Sequence, residues 1–262
     1  MKKSANITKI ITKYLPPLIT AVVIIVVWHM LSHSDVMPSF MMPSPAKVWN
    51  ALINDWSIIL MHAKTTLAEA LTGLGIGIVI SFVIAILMDC YRPVHNALYP
   101  LLIVSQTIPS IAIAPLLLLW FGYDMTPKII LIVITTFFPI TIGLLDGFKA
   151  ADPDALGLLK SMGAGPVRRF IHIKLPYSLG YFFAGLKISV TYAIVGAVIS
   201  EWLGGTSGLG VYMTRCRKSF AYDRMFAIII FIAVLSILLL LAVQLIKWLC
   251  MPWERKRKTN EK

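Results

Sequence analysis

The segment KSMGAGPVRRFIHIKLP, residues 160–176, is a polar and basic island in a chain that is otherwise almost continuously apolar. Long apolar runs lie on both sides of it. A polar segment between two such runs predicts a loop that leaves the hydrocarbon core and joins two membrane-spanning helices. The fold therefore depends on how many apolar runs surround this loop and on which side of the membrane it lies.

The overall composition is that of an integral membrane protein. Of the 262 residues, 58% are hydrophobic and only 14% are charged, and the mean hydropathy is +0.81, whereas about 25% of residues are charged in soluble proteins. The net charge of +12 comes from basic residues scattered at the ends of apolar runs. This distribution favours anionic membrane lipids as partners and argues against nucleic acid.

Six apolar runs are candidates for membrane spans, each of which needs about 20 residues. The runs cover residues 16–31, 66–88, 98–121, 128–145, 181–199 and 225–249. The first follows several lysines, as a signal peptide would, but no small-residue cleavage site of the A-x-A kind follows it. We therefore expect a retained helix and an all-α membrane protein with six transmembrane helices.

The distribution of basic residues predicts the orientation. With the N-terminus in the cytoplasm, the inside segments are rich in Lys and Arg, and the outside keeps about half as many. The domain prediction is a cytoplasmic segment 1–15, a transmembrane domain 16–250 with its loop at 146–176, and a basic cytoplasmic tail 251–262. One outward cluster runs against the rule: Arg215, Arg217, Lys218 and Arg224.

The inside loop at 146–176 has the pattern of two short helices with a sharp break. Asp152, Pro153 and Asp154 favour a helix start, and Gly163 and Gly165 favour its end. One apolar side is formed by Leu156, Leu159 and Met162, and a second segment carries Val167, Phe170, Ile171 and Ile173 between basic residues. Two interpretations stay open for this apolar knob: an interfacial helix whose Arg168, Arg169 and Lys174 contact lipid phosphates, or a docking helix for a cytoplasmic partner.

The loop resembles the EAA loop of binding-protein-dependent ABC importer permeases. The matching pattern is Gly163 and Ala164, followed after a gap by Ile173, Leu175 and Pro176. Three other blocks resemble the branch of that family for sulfonates, taurine, nitrate and pyrimidine precursors of thiamine: SQTIPSIAIAPLLLLWFGY, FFPITIGLLDGFKAADPD and ISEWLGGTSGLGVYM. The similarity extends from about Thr65 to Trp253.

This resemblance implies a type I importer permease (MetI-like) fold in the bacterial cytoplasmic membrane, with both termini cytoplasmic. It also implies a machine of two permease chains, ATPase subunits and an external solute-binding protein. The chain has no phosphate-binding G-x-x-x-x-G-K-[ST] of its own, so ATP and Mg would be used by the partner ATPase, and this chain is expected to bind no cofactor and to catalyse no reaction. The outward basic cluster would then contact the solute-binding protein, with lipid or intrachain pairing as the alternative.

Within this family the loop forms the coupling helix. The residues expected to contact the ATPase are Asp154, Leu156, Gly157, Leu159, Met162, Gly163, Ala164, Arg168, Arg169, Phe170 and Pro176. Gly157 departs from the pattern, because the family usually has Glu there, and Asp154 is a candidate substitute although its spacing differs. Pro176 is expected to break the helix just before the fifth span, so that movement of the loop would rotate that span.

Polar residues within the spans indicate a substrate pathway. Buried polar groups at membrane depth are costly unless they pair or meet water, and the candidates are Ser105, Gln106, Thr107, Pro109, Thr135, Thr136, Ser189 and Tyr192. The alternative is helix repair, in which the hydroxyl groups satisfy carbonyls freed by Pro109 and Pro115. For the aromatic residues the alternative to stacking on a flat ring is ordinary packing.

Other features favour plainer interpretations. Gly73 and Gly77 have the small-xxx-small spacing, for which intrachain packing is favoured over a dimer seam. His29 and His33 share a helix face but have no evident third metal ligand. The acidic residues Glu69, Asp89, Asp146 and Glu201 are predicted near span ends, so no carboxylate relay crosses the bilayer. That pattern argues against an ion-coupled carrier, which remains the alternative of another class.

The substrate is predicted to be an aminopyrimidine precursor of thiamine. Three blocks around the third span, the loop and the last span look most like the permeases for such precursors. We also expect no Arg or Lys in mid-membrane, which fits a substrate without strong negative charge. A sulfonate, taurine or nitrate is the alternative, since the partner binding protein usually sets selectivity in this family.

Overall fold

The computed structural model describes residues 2–34, 38 and 41–253, with side chains from Leu15 onwards, and the described chain is helical with short connections. The predicted basic tail beyond Trp253 lies outside these residues. The chain forms two compact units. One consists of the segment up to Leu60 together with Met213–Phe231, and the other of Met61–Tyr212 together with the segment from Ile232 onwards.

The helices follow one another closely along the chain. In order they are α1 (Lys2–Ser32), α2 (Pro45–Asn54), α3 (Trp56–Cys90), α4 (Arg92–Ser105), α5 (Ser110–Phe121), α6 (Met125–Lys149), α7 (Pro153–Ser161), α8 (Pro166–Arg169), a π-helical turn (Phe170–Lys174), α9 (Leu175–Leu203), α10 (Leu209–Lys218) and α11 (Tyr222–Cys250).

Five of the six predicted spans are confirmed as long apolar helices. In the described residues α1, α3, α6, α9 and α11 are each long and apolar enough to cross a membrane. The third predicted span, 98–121, is wrong as a single helix, because the chain bends by 100° between α4 and α5. Pro109 lies at this break and has no N–H to continue the helix, whereas Pro115 is accommodated inside α5. The bent pair makes a sixth span if it is counted as one.

The core of the second unit is the contact between α6 and α9, with α3 packed against α6. Cβ atoms added at Gly73 and Gly77 would lie 2.6 Å from side-chain atoms of Ile132 and Thr136 on α6. The missing side chains therefore let the two helices approach closely. This confirms intrachain packing as the role of the two glycines.

The first unit is smaller and packs α2 against the start of α11. Val48 and Ala51 are buried with Ala227, and the Trp28 ring stacks on the Phe226 ring at 5.9 Å. The apolar side chains of α1 between residues 15 and 31 remain largely exposed within the chain. In a membrane this surface faces lipid or another chain.

Candidate functional site

The loop at 146–176 contains the two short helices that the sequence predicts, and α7 ends in a Schellman motif. Asp152 is the N-cap of α7, and its carboxylate accepts a hydrogen bond from the Asp154 N–H at 2.9 Å. At the other end Gly163 has φ +80° and its N–H donates to the Lys160 carbonyl, while the Ala164 N–H donates to the Leu159 carbonyl at 2.9 Å. These bonds satisfy the last carbonyls of the helix. The Gly-Ala pair of the sequence motif is therefore the sharp turn between α7 and α8.

Pro176 does not break the helix, contrary to the prediction. The chain runs from Pro166 to Leu203 as one 38-residue helical segment. The π-helical turn explains this, because the Leu175 N–H donates to the Phe170 carbonyl five residues earlier, and Pro176 follows at the start of α9, where a missing N–H is tolerated best. The loop is therefore continuous with the following span.

The apolar residues that the loop exposes are not the ones that the sequence predicted. Leu156 and Leu159 are half-buried, and the Phe170 ring packs on the Phe148 ring at 5.2 Å. Side chains that point away from the chain are those of Leu158, Met162, Val167 and Ile171, which are 63%, 73%, 70% and 50% exposed. We call these four residues the apolar knob. An apolar cluster this exposed on a loop is typical of a protein or membrane contact.

Charged residues surround the knob and tie its base to the bundle. Arg168 is exposed, and Arg169 is half-buried with its Nε lacking a hydrogen-bond partner among the described residues. Lys174 Nζ lies 2.7 Å from both carboxylate oxygens of Asp89 at the end of α3. Gly157 faces open space, since a Cβ added there would have no neighbour within 4 Å. The Asp89–Lys174 ion pair thus fixes the C-terminal end of the loop to α3. Arg168 and Arg169 lie next to Val167 of the knob in the sequence.

The break between α4 and α5 opens a cleft against α6 and α9. Its volume is about 250 Å³. The described lining has no charged side chain and combines polar groups with a tyrosine and aliphatic residues: Ser105, Gln106, Ile108, Pro109, Ser110, Ile113, Ile134, Thr135, Tyr192, Val195 and Gly196. Five of the eight residues predicted to line the pathway therefore come together here. The expected absence of a mid-membrane cation is wrong, because Lys187 lies midway along α9, although it is not among the lining residues.

The other predicted pathway residues have packing or capping contacts. The Thr107 hydroxyl donates to the Val104 carbonyl at 2.7 Å, at the end of α4. Thr136 and Ser189 are fully buried, and the Ser189 hydroxyl donates to the Thr136 carbonyl at 2.7 Å between α9 and α6. Ser105 both lines the cleft and caps α4, since its hydroxyl donates to the Leu102 carbonyl at 2.7 Å. Capping of the α4 end and cleft lining thus coexist at the break. The bonded carbonyls are not those of residues 105 and 111, which Pro109 and Pro115 would free.

The basic cluster that the sequence predicts to face outward lies on the last turn of α10 and the first turn of α11. Arg215, Arg217 and Lys218 are in the last turn of α10, where cations also complement the helix dipole. Arg224 pairs with Asp55 at 3.1 Å. Between the two helices Phe220 has φ +58° and is 67% exposed. A bulky residue in this left-handed conformation is strained, and here it presents an aromatic ring beside the cations.

A buried polar network that the sequence interpretation missed caps the start of α10. The Gly208, Leu209 and Gly210 N–H groups donate to His62 Nδ1 at 3.0 Å, Thr66 Oγ1 at 2.9 Å and Glu201 Oε2 at 2.6 Å. These N–H groups have no partner within α10. The network therefore replaces a local cap with side chains from α3 and α9.

The same network holds two buried carboxylates and one lysine. The Thr66 hydroxyl donates to Glu201 Oε1 at 2.7 Å, and Lys128 Nζ lies 2.6 Å from Glu69 Oε1. Glu69 was predicted near a span end, but α3 begins at Trp56, so Glu69 lies inside the helix and is 2% exposed. Only glycine fits at position 208, because its φ is +122° and a Cβ would clash with the Glu201 carboxylate. The spacing of His62, Thr66 and Glu69 on one helix face was the available signal.

The described residues contain no evident metal-binding site. The His29 and His33 rings lie 4.4 Å apart, but no group of three or more His, Cys, Asp or Glu side chains that would hold a metal ion occurs in residues 2–34, 38 and 41–253. Cys90, Cys216 and Cys250 form no disulfide with one another.

A bundle of apolar helices with an exposed apolar loop continuous with one span, and a neutral cleft at a broken helix, defines a membrane transport subunit. Residues 73–247 match the family described as the binding-protein-dependent transport system inner membrane component. The match covers more than half of the chain, so the protein belongs to this family. It is accordingly a multi-pass inner-membrane permease of an ABC importer.

Several known proteins are similar over nearly the whole chain. The formylaminopyrimidine transport permease protein ThiX of Halalkalibacterium halodurans is 35% identical over 93% of this chain and 97% of its own. A probable ABC transporter permease of Haemophilus influenzae is 34% identical over 88% of this chain and 94% of its own. A putative aliphatic sulfonates permease, SsuC of Bacillus subtilis, is 28% identical over 88% and 86%. The crystal structure of an amino acid ABC transporter with histidines covers 79% of this chain and 97% of its own with a TM-score of 0.61 and 18% identity, which supports the fold alone.

Proposed function

We propose that this chain is the permease through which an importer moves a small neutral aminopyrimidine across the cytoplasmic membrane. The observation that supports a neutral substrate is the cleft at the α4–α5 break, whose described lining contains no charged side chain. An anionic sulfonate or nitrate would enter such a cleft without a cation to replace its hydration. The likeness to a formylaminopyrimidine permease points to the same substrate class.

Two side chains of the cleft suit a flat heteroaromatic ring. The Gln106 amide offers both a donor and an acceptor, as the edge of an aminopyrimidine does, and Tyr192, which is 44% exposed, offers a ring face for stacking. Both line the cleft. Selection by the cleft would act after selection by the external binding protein.

The energy for transport is proposed to come from a separate ATPase subunit, which would bind the ATP and Mg. The apolar knob would enter a groove on that subunit, and Arg168 and Arg169 would pair with carboxylates at the groove rim. Because the helix is continuous from Pro166 into α9, movement of the knob would be passed directly to a helix that lines the cleft. In this arrangement the loop and both termini are cytoplasmic and two permease chains associate.

The solute-binding protein is proposed to dock on the outward cluster. Arg217 and Lys218 are exposed, and Phe220 projects an aromatic ring next to them. Aromatic and cationic residues together are typical of interface hot spots, and cations would match an acidic rim on the binding protein.

The test is uptake by proteoliposomes that contain the permease, its ATPase and its binding protein. A labelled aminopyrimidine is expected to enter with ATP, and Gln106→Leu and Tyr192→Leu should each lower its uptake about three- to tenfold. The matched control is Gln244→Leu, an exposed glutamine outside the cleft, which should transport normally. Equal or faster uptake of taurine or nitrate would contradict the proposed substrate, and uptake without ATP would contradict the importer mechanism.

A further inference from the structure

A second, larger cleft lies where the end of α3, the start of α4 and the end of α6 meet. Its volume is about 550 Å³. The lining consists of Met88, Asp89, Arg92, His95, Asn96, Leu145 and Lys149. Because α3 and α6 end and α4 begins here, beside the base of the loop, we infer that the cleft lies at the boundary between lipid and water. We call it the basic cleft.

The charge of the basic cleft is positive. Its acidic residue, Asp89, is neutralised by Lys174, whose Nζ lies 2.7 Å from both carboxylate oxygens. Arg92 and Lys149 therefore remain as uncompensated cations of the lining. His95 Nε2 is buried and has no hydrogen-bond partner among the described residues. Two cations and an unused imidazole nitrogen together indicate an anion.

The side chains of the basic cleft are held in place by one aromatic ring. The His95 ring stacks on the Tyr99 ring at 5.1 Å with an angle of 9°, and Lys149 Nζ lies 5.5 Å from the centre of the same ring. The first turn of α4 adds the N–H groups of Arg92 and Val94, because Tyr91 precedes the helix without a side-chain cap, whereas Pro93 has no N–H. Such N–H groups favour phosphate.

An exposed apolar strip leads from the basic cleft along α4. Ala97, Leu101 and Val104 follow one another at helical spacing on the exposed side, and Leu101 and Val104 are 63% and 55% exposed. A free phosphate ion would not contact this apolar strip, whereas the acyl chains of a lipid would pack along it. Basic pockets between helices at the membrane surface are recurrent sites for acidic lipid headgroups.

We propose that the basic cleft binds the phosphate of an anionic phospholipid, with Arg92, Lys149 and His95 as its ligands and the acyl chains on α4. The site is distinct from the transport cleft, and its occupancy does not depend on the identity of the transported substrate. Since Asp89 and Lys174 connect its wall to the base of the loop, a bound lipid would brace the loop against α3.

The experiment measures lipid binding to the purified full chain by native mass spectrometry, with thermal unfolding as a second measurement. The probes are dioleoyl phosphatidylglycerol, dioleoyl phosphatidylcholine and inorganic phosphate. Arg92→Gln/Lys149→Gln should lower phosphatidylglycerol affinity roughly 25-fold, and each single variant about fivefold. The matched control is Lys64→Gln/Lys160→Gln, which removes two exposed lysines outside the cleft and should change the affinity less than about twofold.

Charge, rather than shape, is tested by Arg92→Lys/Lys149→Arg, which should retain binding. Unfolding of the wild-type chain should shift to higher temperature with phosphatidylglycerol but not with phosphatidylcholine. Unchanged phosphatidylglycerol affinity in both single variants would overturn the proposal. So would equal protection by inorganic phosphate, which indicates a small-anion site, or loss of the lipid when the ATPase is assembled, which indicates that a protein covers the cleft.

Discussion

Replacement of Thr66 by Val tests whether the buried network holds the start of α10. Thr66 is fully buried, and its hydroxyl both donates to Glu201 Oε1 at 2.7 Å and accepts from the Leu209 N–H at 2.9 Å. Valine has nearly the same shape but no hydroxyl. The change therefore removes two hydrogen bonds without opening a cavity, and it leaves a buried N–H without an acceptor.

The expected loss of stability is large for an isosteric change. A buried donor left unsatisfied costs about 1–3 kcal/mol, and the lost hydrogen bond to the Glu201 carboxyl contributes about 0.5–1.5 kcal/mol. Their sum is about 1.5–4.5 kcal/mol, which corresponds to a decrease in Tm of roughly 3–18 °C for a chain of this size. Thr66→Ser keeps the hydroxyl and loses one methyl group, so its decrease should be about 2–4 °C.

Cys216 provides the assay, because it lies on α10 and is 3% exposed, whereas Cys90 and Cys250 are exposed. In a Cys90→Ser/Cys250→Ser background, a thiol-reactive dye reports the temperature at which α10 opens. The hydrogen-bond reasoning is refuted if Thr66→Val and Thr66→Ser lose the same small amount of stability.

Three further predictions concern the loop and the basic cluster proposed to face outward. Gly157→Ala should stabilise α7 by about 1 kcal/mol because the position is exposed and open, seen as about fivefold slower amide exchange in α7; an unchanged exchange rate would contradict it. Met162→Glu, which places a charge in the apolar knob, should abolish co-purification of the ATPase. The control is Ser161→Glu, which adds the same charge at an exposed position outside the knob and should leave assembly intact; retained assembly with normal uptake in Met162→Glu would contradict the coupling role. Phe220→Gly should relieve strain worth about 1 kcal/mol and raise Tm by about 2–4 °C, yet weaken stimulation of ATP hydrolysis by the binding protein. If stimulation is unchanged, Phe220 is not a docking residue.

The sequence alone was sufficient for the class of fold and for the position of the loop. Hydrophobic runs must cross the membrane as helices, because no other open structure satisfies backbone hydrogen bonds in lipid, and five of the six predicted runs became long helices. The turn at Gly163 and Ala164 could also be predicted from the sequence, because a left-handed backbone conformation at a helix end strongly favours glycine. The loss of continuity at Pro109 was harder to predict, because Pro115 and Pro139 lie inside α5 and α6.

Only the tertiary structure decided which apolar residues of the loop are exposed. Local pattern showed that Leu156, Leu159 and Phe170 are apolar, but burial against the body of the unit is a property of neighbouring helices, and it left Leu158, Met162, Val167 and Ile171 exposed instead.

The capping network shows the same division most clearly. Thr66 and Glu201 are 135 positions apart, and each reads as a polar residue at the edge of an apolar run. What pairs them is the meeting of α3 and α9, together with the need of the N–H groups at the start of α10 for acceptors in a place without water. Periodicity encodes which face of a helix is apolar, while the partner of a buried polar group depends on contacts between distant segments, which periodicity does not contain.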